Sequence, residues 1–280
     1  VCSGSSTTLT ASGANSYVWS GGAGNANTIT VNPTTATTYS VTGTDGNGCS
    51  GTGSVSVGVN ALPTINLSGS TICSGGSTTL LPSGATTYTW DNGLPGGVSR
   101  TVSPATTTTY NVTGTDNNGC TGTASGRVTV NPLPTVTATG GTICSGFAGL
   151  LSASGANTYS WDNTLGVGQT KTVSPTVSTT YTVSGTDGNN CVNTATAMIE
   201  VNPIPDVVID PATSEICPGG NATLTAKNAD TYTWDNGLGT GATKTVSPAT
   251  TTTYMVTGSL NGCSARASAT VTVNNNPTLT

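Results

Sequence analysis

Thr87-Tyr88-Thr89-Trp90-Asp91-Asn92-Gly93 decides the fold because it returns. It recurs as Thr231-Tyr232-Thr233-Trp234-Asp235-Asn236-Gly237 and as Thr158-Tyr159-Ser160-Trp161-Asp162-Asn163-Thr164. A looser copy reads Ser16-Tyr17-Val18-Trp19-Ser20-Gly21-Gly22. The four tryptophans of the chain, Trp19, Trp90, Trp161 and Trp234, centre these runs at steps of 71, 71 and 73 residues. A tyrosine stands two residues before each. Residues two apart on a strand share a face, so each Tyr and Trp are expected to enter one core together.

Other residues keep the same beat. A cysteine precedes each Trp by 17 residues, at Cys2, Cys73, Cys144 and Cys217. A second tyrosine, expected in the core with the Trp, follows by 20, at Tyr39, Tyr110, Tyr181 and Tyr254. A second cysteine follows at Cys49, Cys120, Cys191 and Cys263. Every Cys, Tyr and Trp sits on this frame, and a fixed period of that length marks tandem structural units. The expected domains are residues 1–62, 63–133, 134–204 and 205–280. The first lacks an opening strand and the last includes the start of a further repeat.

Only 34% of residues are hydrophobic and 6% are charged. Such a polar chain could be disordered, but the net charge is only −5 and the aromatics and valines alternate regularly. Short threonine-rich runs favour strands, and turn signals such as Asn117-Asn118-Gly119 recur about every ten residues. That pattern predicts an all-β fold of sandwiches. The joints Val59-Asn60-Ala61-Leu62-Pro63, Val130-Asn131-Pro132-Leu133-Pro134 and Val201-Asn202-Pro203-Ile204-Pro205 are short and proline-stiffened. Four sandwiches end to end would form a rod of about 150 Å, at ~3.3 Å per strand residue.

Units of this size have marginal cores without a staple, and eight regularly placed cysteines point to an oxidising compartment. The expected pairing is within each repeat: Cys2–Cys49, Cys73–Cys120, Cys144–Cys191 and Cys217–Cys263. Pairing across linkers, Cys49 to Cys73 and so on, would strand Cys2 and Cys263. No apolar run reaches the ~18 residues of a membrane span, and no signal peptide is expected within these residues. The start at Val1-Cys2, inside the repeat pattern, reads as a portion of something longer.

Chemistry is sparse. With no histidine, the commonest general base and most transition-metal sites are missing. No catalytic residue, cofactor or metal site is expected, and an enzyme is not. Asp45, Asp116 and Asp187 read as turn residues in preference to calcium ligands, because dense alternating carboxylates are missing. Asp91, Asp162 and Asp235 are followed nine residues later by Arg100, Lys171 and Lys244, and the first repeat lacks both partners. A cross-strand ion pair and chance are equally good accounts of that pattern. Six basic residues cannot make a nucleic-acid surface. Asn66, Asn111 and Asn221 fit the glycan acceptor pattern, which arises readily by chance in this composition.

The order C-S-G, Y-x-W-D, T-V-S-P, T-T-T-Y-x-V-T-G-T-D, G-C, T-V-x-V-N-P resembles the immunoglobulin-like repeats of very large Bacteroidota surface proteins. The Y-x-W-D and T-Y-x-V-T-G-T-D runs also resemble the related polycystic-kidney-disease-type sandwich. The resemblance covers essentially all 280 residues. It implies an extracellular or cell-surface chain, often exported by the type IX route, that is adhesive or serves as a spacer. Ser20 in place of Asp and Ser259-Leu260 in place of Thr-Asp depart from the pattern.

The reading from sequence is therefore an all-β chain of four disulfide-stapled immunoglobulin-like sandwiches in an extended rod, part of a surface fibre or stalk. An adhesin gripping polysaccharide or protein is the alternative, with Gly21–Thr28 and Gly146-Phe147-Ala148 as its nearest loops. A spacer in a larger secreted enzyme is another. The expected partners are further copies head to tail, or continuation of the same chain, with glycans possible. Pro277-Thr278-Leu279-Thr280 matches Pro63-Thr64-Ile65-Asn66, the strand that the first repeat lacks. Strand addition between copies would give a non-closing contact and a filament.

Overall fold

The alternating runs do become strands. The structure, a computed structural model, describes residues 1–277. Among these residues everything regular is β, apart from one 3-10 turn at Ser20–Gly22. The chain forms two compact units, Val1–Pro132 and Leu133–Thr280, each holding two sandwiches.

The third repeat is complete. One sheet orders Thr137–Thr139, Gly149–Ser154 and Thr170–Val173. The other orders Gly141–Cys144, Val192–Asn202, Thr179–Thr186, Thr158–Trp161 and Gly166–Val167. The chain leaves the first sheet for the second at Gly140, where an added Cβ would lie 2.0 Å from the Met198 carbonyl oxygen. No side chain fits that crossing. Gly141–Cys144 then runs parallel to Val192–Asn202, setting Cys144 opposite Asn202, while the other pairings are antiparallel. Two facing sheets with antiparallel hairpins and a shared first strand make an immunoglobulin-like sandwich.

The fourth repeat copies this order, with Thr213–Ile216 parallel to Cys263–Val273. In the second, the paired strands are Thr78–Leu80 with Arg100–Val102, and Ser70–Cys73, Thr121–Asn131, Thr108–Thr115 and Thr87–Trp90 in the other sheet. Its opening segment is held by one bridge, Asn66 to Ser83. The short hairpin strand after the Trp is missing for a local reason. Gly166 and Gly239 begin that strand at φ 70, and the counterpart in the second repeat is Pro95, whose ring fixes φ near −65°. The first repeat keeps Thr7–Thr10 with Thr28–Val31, and Ser16–Trp19, Thr37–Thr44 and Ser50–Val57. Its pre-cysteine strand is reduced to a parallel bridge, Cys2 to Asn60. The expected further repeat start at residues 277–280 falls, from residue 278 on, outside the described residues.

The buried clusters each lie within one repeat. Trp19, Trp161 and Trp234 are buried, and Trp90 is half-buried. Each indole N–H donates to the carbonyl seven residues on, at Ala26, Gly97, Gly168 and Gly241 (2.8–3.0 Å). That satisfies the one polar atom each Trp carries into the core. The tyrosine before the Trp clamps its own turn, its hydroxyl accepting the N–H of Ala14, Ala85, Ala156 or Ala229. Tyr110, Tyr181 and Tyr254 are buried, while Tyr39 is half-buried. Leu151 is fully enclosed. Leu151→Ala should cost about 2–5 kcal/mol by loss of contact and cavity formation, read as a lower urea midpoint of the oxidised protein.

Candidate functional site

The acidic residues do backbone work. Asp45 Oδ1 accepts the N–H groups of Asn47 and Cys49 at 2.8 and 2.9 Å. Asp116 does the same for Asn118 and Cys120, and Asp187 for Asn189 and Cys191. These are Asx turns, and each holds the second cysteine of its repeat in place. The fourth repeat reaches the same end with a two-residue turn. Asn261 and Gly262 both have positive φ between paired Leu260 and Cys263, as a type I′ hairpin requires. Among the described residues no group of three or more His, Cys, Asp and Glu is placed to hold a metal ion.

Cross-strand ion pairs after the tryptophans do not form. Arg100 donates to the carbonyls of Pro95 and Ser99, Lys171 to that of Val167 and Lys244 to that of Thr240. Asp91 and Asp235 instead accept the backbone N–H groups of Asn111 and Met255. Ser20 Oγ accepts that of Ser40, so a serine replaces the acid without losing the bond. Among the described residues, the ion pair present is Lys227 with Asp210, both exposed.

The cysteines overturn the expected pairing. Cys2 is bonded to Cys120 (Cα–Cα 5.5 Å) and Cys144 to Cys263 (5.6 Å). Cys73 and Cys191 are also in disulfides. Cys49 and Cys217 are exposed free thiols. The bonds Cys2–Cys49, Cys144–Cys191 and Cys217–Cys263 are therefore not made, and Cys120 has Cys2 as its partner instead of Cys73.

The parallel strand explains why. Cys144 lies opposite Asn202, at the far end of the 11-residue strand Val192–Asn202, and Cys191 immediately precedes that strand. At ~3.3 Å per residue the two cysteines are about 35 Å apart, whereas a disulfide needs Cα atoms within about 7 Å. The second repeat repeats the arrangement, with Cys73 opposite Asn131 and Cys120 preceding Thr121–Asn131.

The far end of one sandwich is where the next begins. Asn202 Nδ2 donates to the Asn261 carbonyl at 2.9 Å, and Cys263 Sγ lies 3.8 Å from the Asn202 carbonyl oxygen. The hairpin of the fourth sandwich thus turns back onto the joint where Cys144 waits. Asn202 was not singled out in the sequence. Its signal was its place beside the cysteine in the Val-Asn-Pro joint, legible only once the parallel strand is drawn.

A groove of about 610 Å³ opens on the first sandwich, lined by Tyr17, Trp19, Val41, Gly43, Cys49 and Val55 among others. In the other repeats the opening segment fills this place. A Cβ on Gly114 would lie 2.5 Å from Ile65 and 2.8 Å from Ala85. Gly185 would meet Val136 and Ala156 in the same way, and Gly258 would meet Val207 and Ala229. Gly43 would meet Ala14 at 2.8 Å and Tyr17 at 3.5 Å, but no counterpart of Ile65. Tyr17, Tyr39 and Val41 accordingly stay half-buried where their counterparts are buried. Of the loops weighed as binding sites, Gly146-Phe147-Ala148 leaves Phe147 62% exposed.

No family model matches this chain, and no curated protein does. Among solved structures it is similar to the N-terminal four Ig domains of Dscam1 isoform 1.9, at 12% identity, 98% of this chain, 96% of that chain and TM-score 0.26. It is similar also to Sidekick-1 immunoglobulin domains 1-5, at 14%, 98%, 78% and 0.28. The I-band fragment I67-I69 of titin gives 13%, 76%, 98% and 0.36. The immunoglobulin-like assignment rests on the strand order given above.

Peptide mapping without reduction should recover Cys2 joined to Cys120 and Cys144 joined to Cys263. A Cys2–Cys49 or Cys144–Cys191 peptide would contradict the parallel register.

Proposed function

We propose that this chain is a structural segment of an extracellular stalk or fibre, built head to tail from immunoglobulin-like sandwiches. The observation that carries the reading is the offset of the disulfides. Cys2–Cys120 and Cys144–Cys263 each tie the first cysteine of one repeat to the second cysteine of the next. A staple inside a domain would stabilise that domain alone, whereas these bonds lock the joints. The joint within each unit has two covalent paths, the backbone and the disulfide, which suits a part that resists bending and pulling. Bonds of this kind persist in oxidising surroundings, which supports placement outside the cell or on its surface. The resemblance to Bacteroidota surface repeats and their type IX export fits the same placement.

The local chemistry supports it too. Apart from the exposed Lys227–Asp210 pair, the acids and bases whose partners are given above are engaged with backbone groups of nearby turns and neighbouring strands. A second reading, an adhesin, has the exposed Phe147 in its favour. Aromatic rings at a loop tip can stack on sugars or fill a protein pocket.

Gold-labelled antibody against the chain, applied to intact source cells, should decorate surface fibres or stalks. Label that appears only after permeabilisation would reject the reading. The joint locks carry their own stability effect. A loop of about 118 residues contributes ~5 kcal/mol in the chain-entropy model. Replacing Cys144 and Cys263 by Ser should therefore destabilise the second unit by up to that much, read as a lower urea midpoint. The first unit should be unaffected.

A further inference from the structure

The third sandwich carries a cleft of about 690 Å³ on the outer face of its five-stranded sheet, lined by Asn157, Thr158, Ser160, Val167, Gln169 and Ser184 among others. Tyr159, Trp161, Tyr181 and Val183 are buried, so alternation puts Thr158, Ser160 and Ser184 on the outside. Ser160 is paired with Ser184 on one side and with Val167 on the other. The row across these three strands spans about 10 Å at ~4.8 Å per strand. Ser160 and Ser184 form its floor, and Val167, 79% exposed, stands on the edge strand.

The other repeats show why the floor is low. In place of Ser160 and Ser184, the second repeat pairs Thr89 with Thr113, the fourth Thr233 with Thr257 and the first Val18 with Thr42. Two methyl groups that the second and fourth sandwiches keep on this surface are missing from the third. Its other lining residues are also its own. Gln169 is the one glutamine of the chain, and the fourth repeat has Asp230, Thr240 and Ala242 in place of Asn157, Val167 and Gln169.

The cleft is fixed before any ligand arrives. Lys171 Nζ donates to the Val167 carbonyl at 2.6 Å, and the Gly168 N–H donates to the Tyr159 carbonyl at 3.0 Å. The Asn157 N–H donates to the Thr186 carbonyl, and the Gln169 carbonyl accepts the Ala153 N–H, both at 2.9 Å. Among the described residues no hydrogen bond engages the side chains of Asn157, Ser160, Gln169 or Ser184. Two carboxamides and two hydroxyls are thus held ready, each able to donate and to accept. Among the described residues the lining holds no acid or base.

We infer that this cleft binds an uncharged saccharide, one or two sugar rings long. A sugar presents neighbouring hydroxyls to the carboxamides and serines, and its C–H face to Val167. A charged ligand would lose hydration and meet no countercharge in the lining. An apolar ligand would leave the carboxamides unpaired. The volume lies in the range of small-molecule sites, and fixed walls keep the ordering cost of binding low. The inference goes beyond the stalk reading and does not depend on whether the chain builds fibres.

The 280-residue chain, labelled with nitrogen-15, is titrated separately with cellobiose, maltose and lactose and followed by NMR. The expected result, with at least one of them, is a saturable shift of the Asn157 and Gln169 side-chain amides and of the Ser160 and Ser184 backbone amides. Thr233 and Thr257 of the fourth sandwich should not move. Ser160→Thr with Ser184→Thr installs the pair that the fourth sandwich carries in the same register, so the fold is kept while the floor is raised. Binding should weaken at least ~tenfold in that variant, and about fivefold in Gln169→Ala. Glucose and a tetrasaccharide of the best-bound series separate the two sources of such a ligand. Equal affinity points to a free sugar, and tighter tetrasaccharide binding points to a segment of polysaccharide. No saturable shift with any disaccharide up to about 50 mM, well above a millimolar Kd, would overturn the inference. So would shifts that map away from the cleft, or a Thr pair that binds as tightly as the Ser pair. Labelled surface fibres without a sugar shift would remove this site and leave the stalk reading standing. A sugar-binding chain that never reaches the surface would do the reverse.

Discussion

Parallel pairing of each short pre-cysteine segment with the last strand of its own sandwich is the constraint that the covalent layout depends on. Gly141–Cys144 against Val192–Asn202, Ser70–Cys73 against Thr121–Asn131 and Thr213–Ile216 against Cys263–Val273 all share it. A parallel neighbour points its C-terminal end the same way, so the first cysteine is carried to the end where the chain departs. The second cysteine sits in the hairpin that opens the last strand, at the opposite end. The length of that strand then forbids an internal bond, and Cys2 with Cys120 and Cys144 with Cys263 bond across a joint instead.

The cores show how little is needed once that layout holds. Each sandwich is organised around one Trp, two Tyr and a handful of aliphatics such as Leu151, Val183 and Ile199. The indole N–H and the hydroxyl of the Tyr before it are satisfied locally, by a carbonyl seven residues on and a turn three residues back. The outer faces carry hydroxyl pairs such as Thr79 with Thr101 and Thr137 with Ser154 in place of charge. With one ion pair among the described residues, stability should depend only weakly on salt, since screening acts on charges.

Differences between repeats follow from single residues. Pro95 stands where Gly166 and Gly239 take positive φ, and the hairpin strand after Trp90 is lost with it. Ser20 stands where Asp91 and Asp235 accept a backbone N–H, and the bond survives. Gly43, Gly114, Gly185 and Gly258 keep a flat floor for the opening segment, and over Gly43 that floor is uncovered.

The sequence by itself determined the period, the strands and the aromatic core, because these are local. Alternation places Tyr and Trp on one face, Asx and Asn-Gly turns set the hairpins, and the frame of Trp, Tyr and Cys counts the units. It also showed Asp45, Asp116 and Asp187 as turn residues. It did not reveal which cysteines meet, nor that Arg100, Lys171 and Lys244 turn to carbonyls instead of the nearby acids. Spacing along a chain says how far apart two residues are in sequence, and 47 residues can close a loop or span a domain. Only the tertiary structure decided between them. The direction of the short strand before each first cysteine is a long-range choice, made when that strand pairs with one roughly 58 residues further on, in the parallel sense that the sandwich order imposes.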